Sequence, residues 1–292
     1  SGIEAIYWNP ANLARGAGSV NIMVSHMNHI ADIAVQYGAV STNIEGIGTI
    51  AFSLKSLNIG EIPITTNENP DGTGGVMKPG INVIGFTYSV ILSDRIAVGF
   101  TANYISENMD RVKASGFGFD LGISYNNLAN IQGLNFAVVI KNLGSPMKYD
   151  GTGLNVLANA DQFTRDGSRA MIYKIDAAEF ELPSTIELGL GYKYNFSADH
   201  SLQFNSVYKN DNYYNDEVKL GGEYCYNDKL FLRAGYLITP ETDTKYENLY
   251  NGLHAGFGIK YNLSGTTFSL DYAYRQMLYF DANNVISLSI GL

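Results

Sequence analysis

The chain has 292 residues, a formal net charge of −9 and a mean hydropathy of −0.05. It carries no basic stripe for nucleic acid and no apolar run of about 18 residues for a membrane helix. A single cysteine, Cys225, excludes an internal disulfide framework. The 21 Tyr and 14 Phe stand against one Trp, a composition that suits strands and bilayer interfaces, where an apolar ring and a wet hydroxyl are both satisfied. An ordinary β-sandwich is Tyr-rich too.

In chain order, residues 1–16 do not alternate. They read as an extended piece and then a short helical turn, capped by Asn9 and opened by Pro10. The segment is too short to be a domain, and its apolar residues need a partner from the rest of the chain.

From residue 17 to the end, apolar residues alternate with small or polar ones, the period of a strand with one apolar face. Fourteen strands are predicted: 17–27, 31–41, 46–56, 81–92, 95–106, 114–126, 133–142, 183–196, 200–209, 217–226, 229–238, 251–262, 266–276 and 285–292. Most run about 10–13 residues, enough at about 3.3 Å per residue and a tilt near 40° to cross an apolar band of about 25 Å. The gaps alternate in length. Tight ones at 42–45, 93–94, 128–132, 197–199, 227–228 and 263–265 separate longer ones at 57–80, 107–113, 143–182, 210–216, 239–250 and 277–284. Only the first hairpin, Asn28-His29-Ile30, breaks that contrast. A soluble barrel has no reason to keep its long loops at one end, whereas outer-membrane barrels have short periplasmic turns and longer outer loops. An even strand count puts both termini on the periplasmic side.

Phe117, Phe119, Leu121 and Ile123 share one strand face; Gly118, Asp120, Gly122 and Ser124 share the other. A fourteen-stranded cylinder is too wide for side chains to fill. The apolar face therefore points to lipid and the polar one to a lumen. The expected architecture is an all-β, antiparallel up-and-down transmembrane barrel over 17–292. Residues 1–16 form a plug inside it, carried by Trp8, Asn9, Pro10 and Ala11.

The charged residues assigned to the inner face are Lys55, Asp120, Lys141, Glu187, Lys193, Lys219, Glu223, Arg233, His254, Lys260, Asp271 and Arg275. Mixed signs suggest pairing across the lumen; a carboxylate-binding spot at Arg233, Lys260 or Arg275 is the sharper alternative. The 143–182 connection is about 40 residues long, and loops of that length are commonly functional. Its apolar residues Val156, Leu157, Phe163, Tyr173 and Phe180 are the expected partner contacts, with a short helix near 155–163. Residues 67–75 hold oxygen ligands beside glycines but lack the spaced bidentate Glu of a calcium loop. His26, His29, His200 and His254 show no metal spacing, and no Gly-x-Ser-x-Gly elbow is present. No enzyme chemistry, metal or cofactor is expected. Cys225, mid-strand, reads as a buried small residue. No signal peptide is visible ahead of Ser1, so export is inferred from the barrel alone.

The run Tyr7-Trp8-Asn9-Pro10-Ala11-Asn12-Leu13-Ala14 before the first strand resembles the FadL-like outer-membrane barrels, and more closely their PorV/PorQ branch. Gly118-Phe119-Asp120-Leu121-Gly122, Lys141-Asn142-Leu143-Gly144-Ser145-Pro146-Met147-Lys148-Tyr149, and Leu182-Pro183 before Leu188-Gly189-Leu190-Gly191-Tyr192 match in order and spacing. The chain departs from the family in starting almost at the Trp-Asn-Pro-Ala element and in ending Ile290-Gly291-Leu292. The resemblance implies a fourteen-stranded barrel with an N-terminal plug. It also implies one of two roles. The PorV-like role, expected first, is to dock a secreted cargo protein or the type IX secretion translocon. The FadL-like role is a channel for long-chain fatty acids or other hydrophobic compounds, in which a hydrophobic small ligand and outer-membrane lipid are the partners.

Overall fold

A computed structural model of the chain describes residues 2–16, 18–30, 33–159, 170–240 and 249–292. Fourteen antiparallel strands close into one barrel. They are β1 Val20–Asn28, β2 Ala34–Ile44, β3 Gly48–Asn58, β4 Gly80–Ile91, β5 Ile96–Met109, β6 Val112–Asn126 and β7 Leu134–Gly144. The second half holds β8 Thr185–Asn195, β9 His200–Asp211, β10 Glu217–Tyr226, β11 Leu230–Ile238, β12 Gly252–Leu263, β13 Thr266–Arg275 and β14 Asn283–Gly291. Each pairs with its neighbours in the barrel, and β1 pairs with β14 from Asn21↔Gly291 to Asn28↔Asn284, so the barrel itself has no open edge.

The alternation decides which way the wall faces. Phe117, Phe119, Leu121 and Ile123, and on the far side Leu253, Phe257 and Ile259, are exposed on the outer surface. The opposite face carries buried Thr87, Ser89, Thr101, Asn103 and Ser124. A soluble protein would bury the first set; only a lipid solvent rewards this inversion. An apolar recess on the outer wall, floored by Gly222 and Ala234 and rimmed by Phe204, Leu220, Tyr236 and Leu253, lies on this lipid-type surface rather than in the lumen. Cys225 is buried, as its position between Tyr224 and Tyr226 suggests.

The predicted strands are present, with corrections at their ends. Residues 107–113 are not a long loop: β5 runs to Met109 and β6 starts at Val112. Asp110, at φ 60°, makes a two-residue turn, and the longest hairpin of the barrel projects beyond the wall. The helix expected near 155–163 is absent where the chain is described. Asn155–Asn159 is a strand paired with Ala170–Lys174, Leu157 opposite Ile172. Apolar residues on both faces of a short run fit a ribbon as readily as a helix, and the partner strand lay too far along the sequence to be seen. Phe163 lies outside the described residues. In the N-terminal segment, Ala5–Trp8 is a helical turn rather than extended.

Segment 2–16 lies against the inner wall. The 3₁₀ helix Pro10–Arg15 is capped by Asn9, whose Oδ1 accepts from Ala11 N at 2.9 Å. It packs on β4, β5 and β6. Ser89 Oγ donates to Ala11 O at 3.0 Å and accepts from Ala14 N at 3.2 Å, while Asn9 Nδ2 donates to Ile123 O at 3.3 Å. Gly99 and Gly122 provide the space. A side chain at Gly99 would collide with the Pro10–Ala11 backbone, and one at Gly122 with Asn9. Ile3, Ile6 and Leu13 bury themselves with Met23, Ala39 and Ala51.

Candidate functional site in the barrel lumen

Asn9, Pro10 and Ala11 are buried against the wall, but the last two rings of the helical turn before them stay partly exposed, Tyr7 meeting the wall ring of Tyr37 edge-on at 6.1 Å. Tyr7 is 46 % and Trp8 57 % exposed. The rings meet edge to face, with centroids 4.9 Å apart at 89°, the arrangement their quadrupoles prefer. Lys55 Nζ of β3 stands 5.4 Å from the Tyr7 ring. Lys141 Nζ of β7 stands 5.7 Å from both rings. The Lys55 charge, supported by Lys141, holds the Tyr7 hydroxyl below the ordinary tyrosine pKa.

The other inner-face charges mostly neutralise one another. Lys141 pairs with Glu187 at 3.2 Å. Lys209 pairs with Asp211 at 2.8 Å, and Lys219 with Glu217 at 3.0 Å. Arg233 donates through Nε to Glu223 at 2.6 Å and through Nη1 to Asp271 at 2.5 Å. Asp120 accepts from Asn103 Nδ2 and from Asn142 N, both at 2.8 Å. It fills a register shift where the β6–β7 ladder skips a residue, a β-bulge set by Asn142 at φ 57°. Of the predicted charges, Lys141, Glu187, Lys219, Glu223, Arg233 and Asp271 make ion pairs, between neighbours along the wall rather than across the lumen, while Asp120 is held by an amide side chain and a backbone N–H. Lys193 and Lys260 make no ion pair among the described residues.

At the long-loop end, Arg275 stacks on the Tyr250 ring at 4.1 Å and reaches Met27 Sδ at 3.7 Å. His254 Nε2 donates to Tyr250 O at 3.0 Å. Asn283 Nδ2 lies 3.0 Å from His29 Nδ1, and His29 Nε2 lies 3.4 Å from the Tyr250 hydroxyl. Burial and the nearby Arg275 charge lower the His29 pKa. This cluster spans the seam between first and last strands. Lys209, Glu217 and Tyr250 are not among the residues the sequence points to, and Tyr7 enters only as the first residue of the Tyr7–Ala14 run. Lys209 and Glu217 flank a gap and share the inner-face parity, a signal that could have found them; Tyr7 and Tyr250 sit where no alternation assigns a face.

Beyond the wall, Val156, Leu157 and Tyr173 are exposed on the outer ribbon, where Leu157 is 70 % and its partner Ile172 71 % exposed. Phe180 instead stacks on Tyr149 at 5.2 Å and packs on buried Met147, Leu182, Ile105 and Ala114. That cluster fastens the root of the loop to the β4–β6 wall.

No family model and no curated protein matches the sequence. Solved structures do match in fold. The toluene transporter TodX of Pseudomonas putida aligns over 99 % of this chain and 93 % of its own, at 13 % identity and TM-score 0.57. The CymD monoaromatic hydrocarbon channel aligns over 99 % and 91 %, at 14 % and 0.55. A Pseudomonas aeruginosa FadL homologue aligns over 99 % and 93 %, at 13 % and 0.50. At such identities the likeness establishes the fold: a closed fourteen-stranded barrel of the FadL type.

Proposed function

We propose that the chain is a non-enzymatic outer-membrane channel for small hydrophobic or amphipathic compounds. In this reading the short turns and both termini face the periplasm, and residues 2–16 are a plug that ligands contact on their way through. The observation that carries it is the presentation of Tyr7 and Trp8, two unburied rings, into the lumen on a segment otherwise fixed to the wall. A purely structural filler would bury its largest apolar groups first. Barrels sharing the fold include monoaromatic hydrocarbon channels, which supports the channel over the docking role expected first from sequence. The test is uptake of a labelled monoaromatic compound by vesicles carrying the full chain. Faster uptake than in empty vesicles supports the channel; equal rates, with folded barrel confirmed, overturn it.

One observation favours a docking role as a second reading. The outer ribbon Asn155–Asn159 with Ala170–Lys174 exposes Leu157 and Ile172 side by side, and an isolated two-stranded ribbon is marginal in water. A secreted cargo domain or the type IX translocon would cover it. Gentle extraction followed by recovery of the barrel alone, with no large membrane partner, argues against that role.

A further inference from the structure

Among the described residues Lys55 shares the lack of a carboxylate partner with Lys193, Lys260 and Arg275, but of these four it is the one that stands over a plug ring. Lys141, Lys209, Lys219 and Arg233 each have a carboxylate within 3.2 Å. Among the described residues Lys55 has none, and its ammonium faces the Tyr7 ring instead. A half-buried ammonium with no carboxylate partner keeps its donors for an anionic guest. The local field agrees: Lys55, Lys141, Arg275 and Lys219 all favour the phenolate form of Tyr7, although the chain as a whole carries −9. The Tyr7 ring beside Lys55, and the Trp8 ring that meets it edge to face, are both open. Further round the wall, the inward positions of β8, β10, β11 and β12 include Gly189, Gly221, Gly235 and Gly256 among charged residues. That lining offers no continuous apolar sleeve for an alkyl chain. It suits a guest whose apolar part is one ring.

We propose that Lys55, Tyr7 and Trp8 form a binding site for an aryl monocarboxylate, the carboxylate on the Lys55 ammonium and the ring against Trp8. This rests on the channel reading and specifies what that channel takes.

Trp8 is the only tryptophan, so its fluorescence reports this site alone. The full chain in phospholipid nanodiscs is titrated with benzoate, with benzyl alcohol as the neutral ring and with octanoate as the alkyl acid. Saturable change with benzoate is expected, at least roughly tenfold tighter than with either other probe. Lys55→Met should weaken benzoate by about the same factor and leave benzyl alcohol unaffected, while Lys55→Arg restores binding. Benzyl alcohol binding as tightly as benzoate, an indifferent Lys55→Met or an indifferent Trp8 overturns the site. So does octanoate binding more tightly than benzoate. Those results leave the channel standing if vesicles still take up monoaromatic compounds; loss of both response and uptake removes the channel as well.

Discussion

Gly99 lies directly beneath the Pro10–Ala11 peptide, so that the backbone of the N-terminal segment occupies the place a side chain on β5 would take. This close approach, with Gly122 beneath Asn9, is why two strand positions that weaken a sheet are retained in the wall. Gly99→Val should push the segment off while the barrel still closes, because the ladder from Ile96↔Tyr125 onward does not depend on it. Overpacking of this kind costs about 1–3 kcal/mol, which raises the detached population roughly 5- to 150-fold. Arg15 is a tryptic site at the end of the 3₁₀ helix. Cleavage after Arg15, read by mass spectrometry, should accelerate accordingly; an unchanged rate contradicts the packing.

Why this contact was only half legible in the sequence is physical. Asn9-Pro10 announces a capped helical start through local chemistry, and the cap is present. The inward parity of Gly99 and Gly122 follows from alternation. That the two belong together depends on contacts about ninety or more residues apart, which no local pattern encodes. The barrel was readable because its period of two is repeated in every strand. The outer ribbon was not, because its two strands lie either side of residues that carry no such period, and Asp120 at its bulge gave no sign that Asn142 would turn left-handed.

The root of the outer loop hangs on Met147, 1 % exposed and seated over Gly116, where an added carbon would lie 2.6 Å from Met147 Cγ. Met147→Ala should cost about 2–4 kcal/mol of local stability. The barrel ladder is untouched, so the expected outcome is a faster tryptic cut at Lys148 or Lys174 with an unchanged global unfolding midpoint. A lowered midpoint with no new cleavage would show that the loop is part of the barrel's cooperative unit.

Two tyrosines should titrate in opposite directions. Tyr149 is pushed up to about 12 by burial and by its hydrogen bond to the Glu107 carboxylate. Its contribution to stability is complete below the unfolded value and is lost as pH rises through the folded one. Tyr7 is held below the ordinary value chiefly by Lys55. Its contribution is absent at pH below the lowered folded pKa and grows until pH passes the unfolded value near 10. A tyrosinate beside Trp8 quenches indole emission. Trp8 fluorescence should therefore fall with a midpoint below that of free tyrosine, move upward in Lys55→Met and vanish as a transition in Tyr7→Phe. A midpoint that ignores Lys55 contradicts the geometry.

Arg233 joins three strands through a gap left by a fourth. It lies on β11, takes Glu223 from neighbouring β10, and crosses β12 to reach Asp271 on β13. The crossing is possible because Gly258 of β12 has no side chain: a Cβ there would sit 3.1 Å from Arg233 Nη1 and collide with Asp271 Oδ1. All three side chains are about one-third exposed to the lumen, so water screens part of the attraction, and losing the cation should cost only about 1–2 kcal/mol in urea unfolding. Gly258→Val should cost at least as much by driving Arg233 and Asp271 apart. Because both changes remove one contact, the double variant should fall short of their sum by roughly 1 kcal/mol. Strict additivity would mean that Gly258 serves wall curvature and not the reach of Arg233. Adding Asp271→Asn to Arg233→Met should recover part of the loss, since it removes a carboxylate left without its cation.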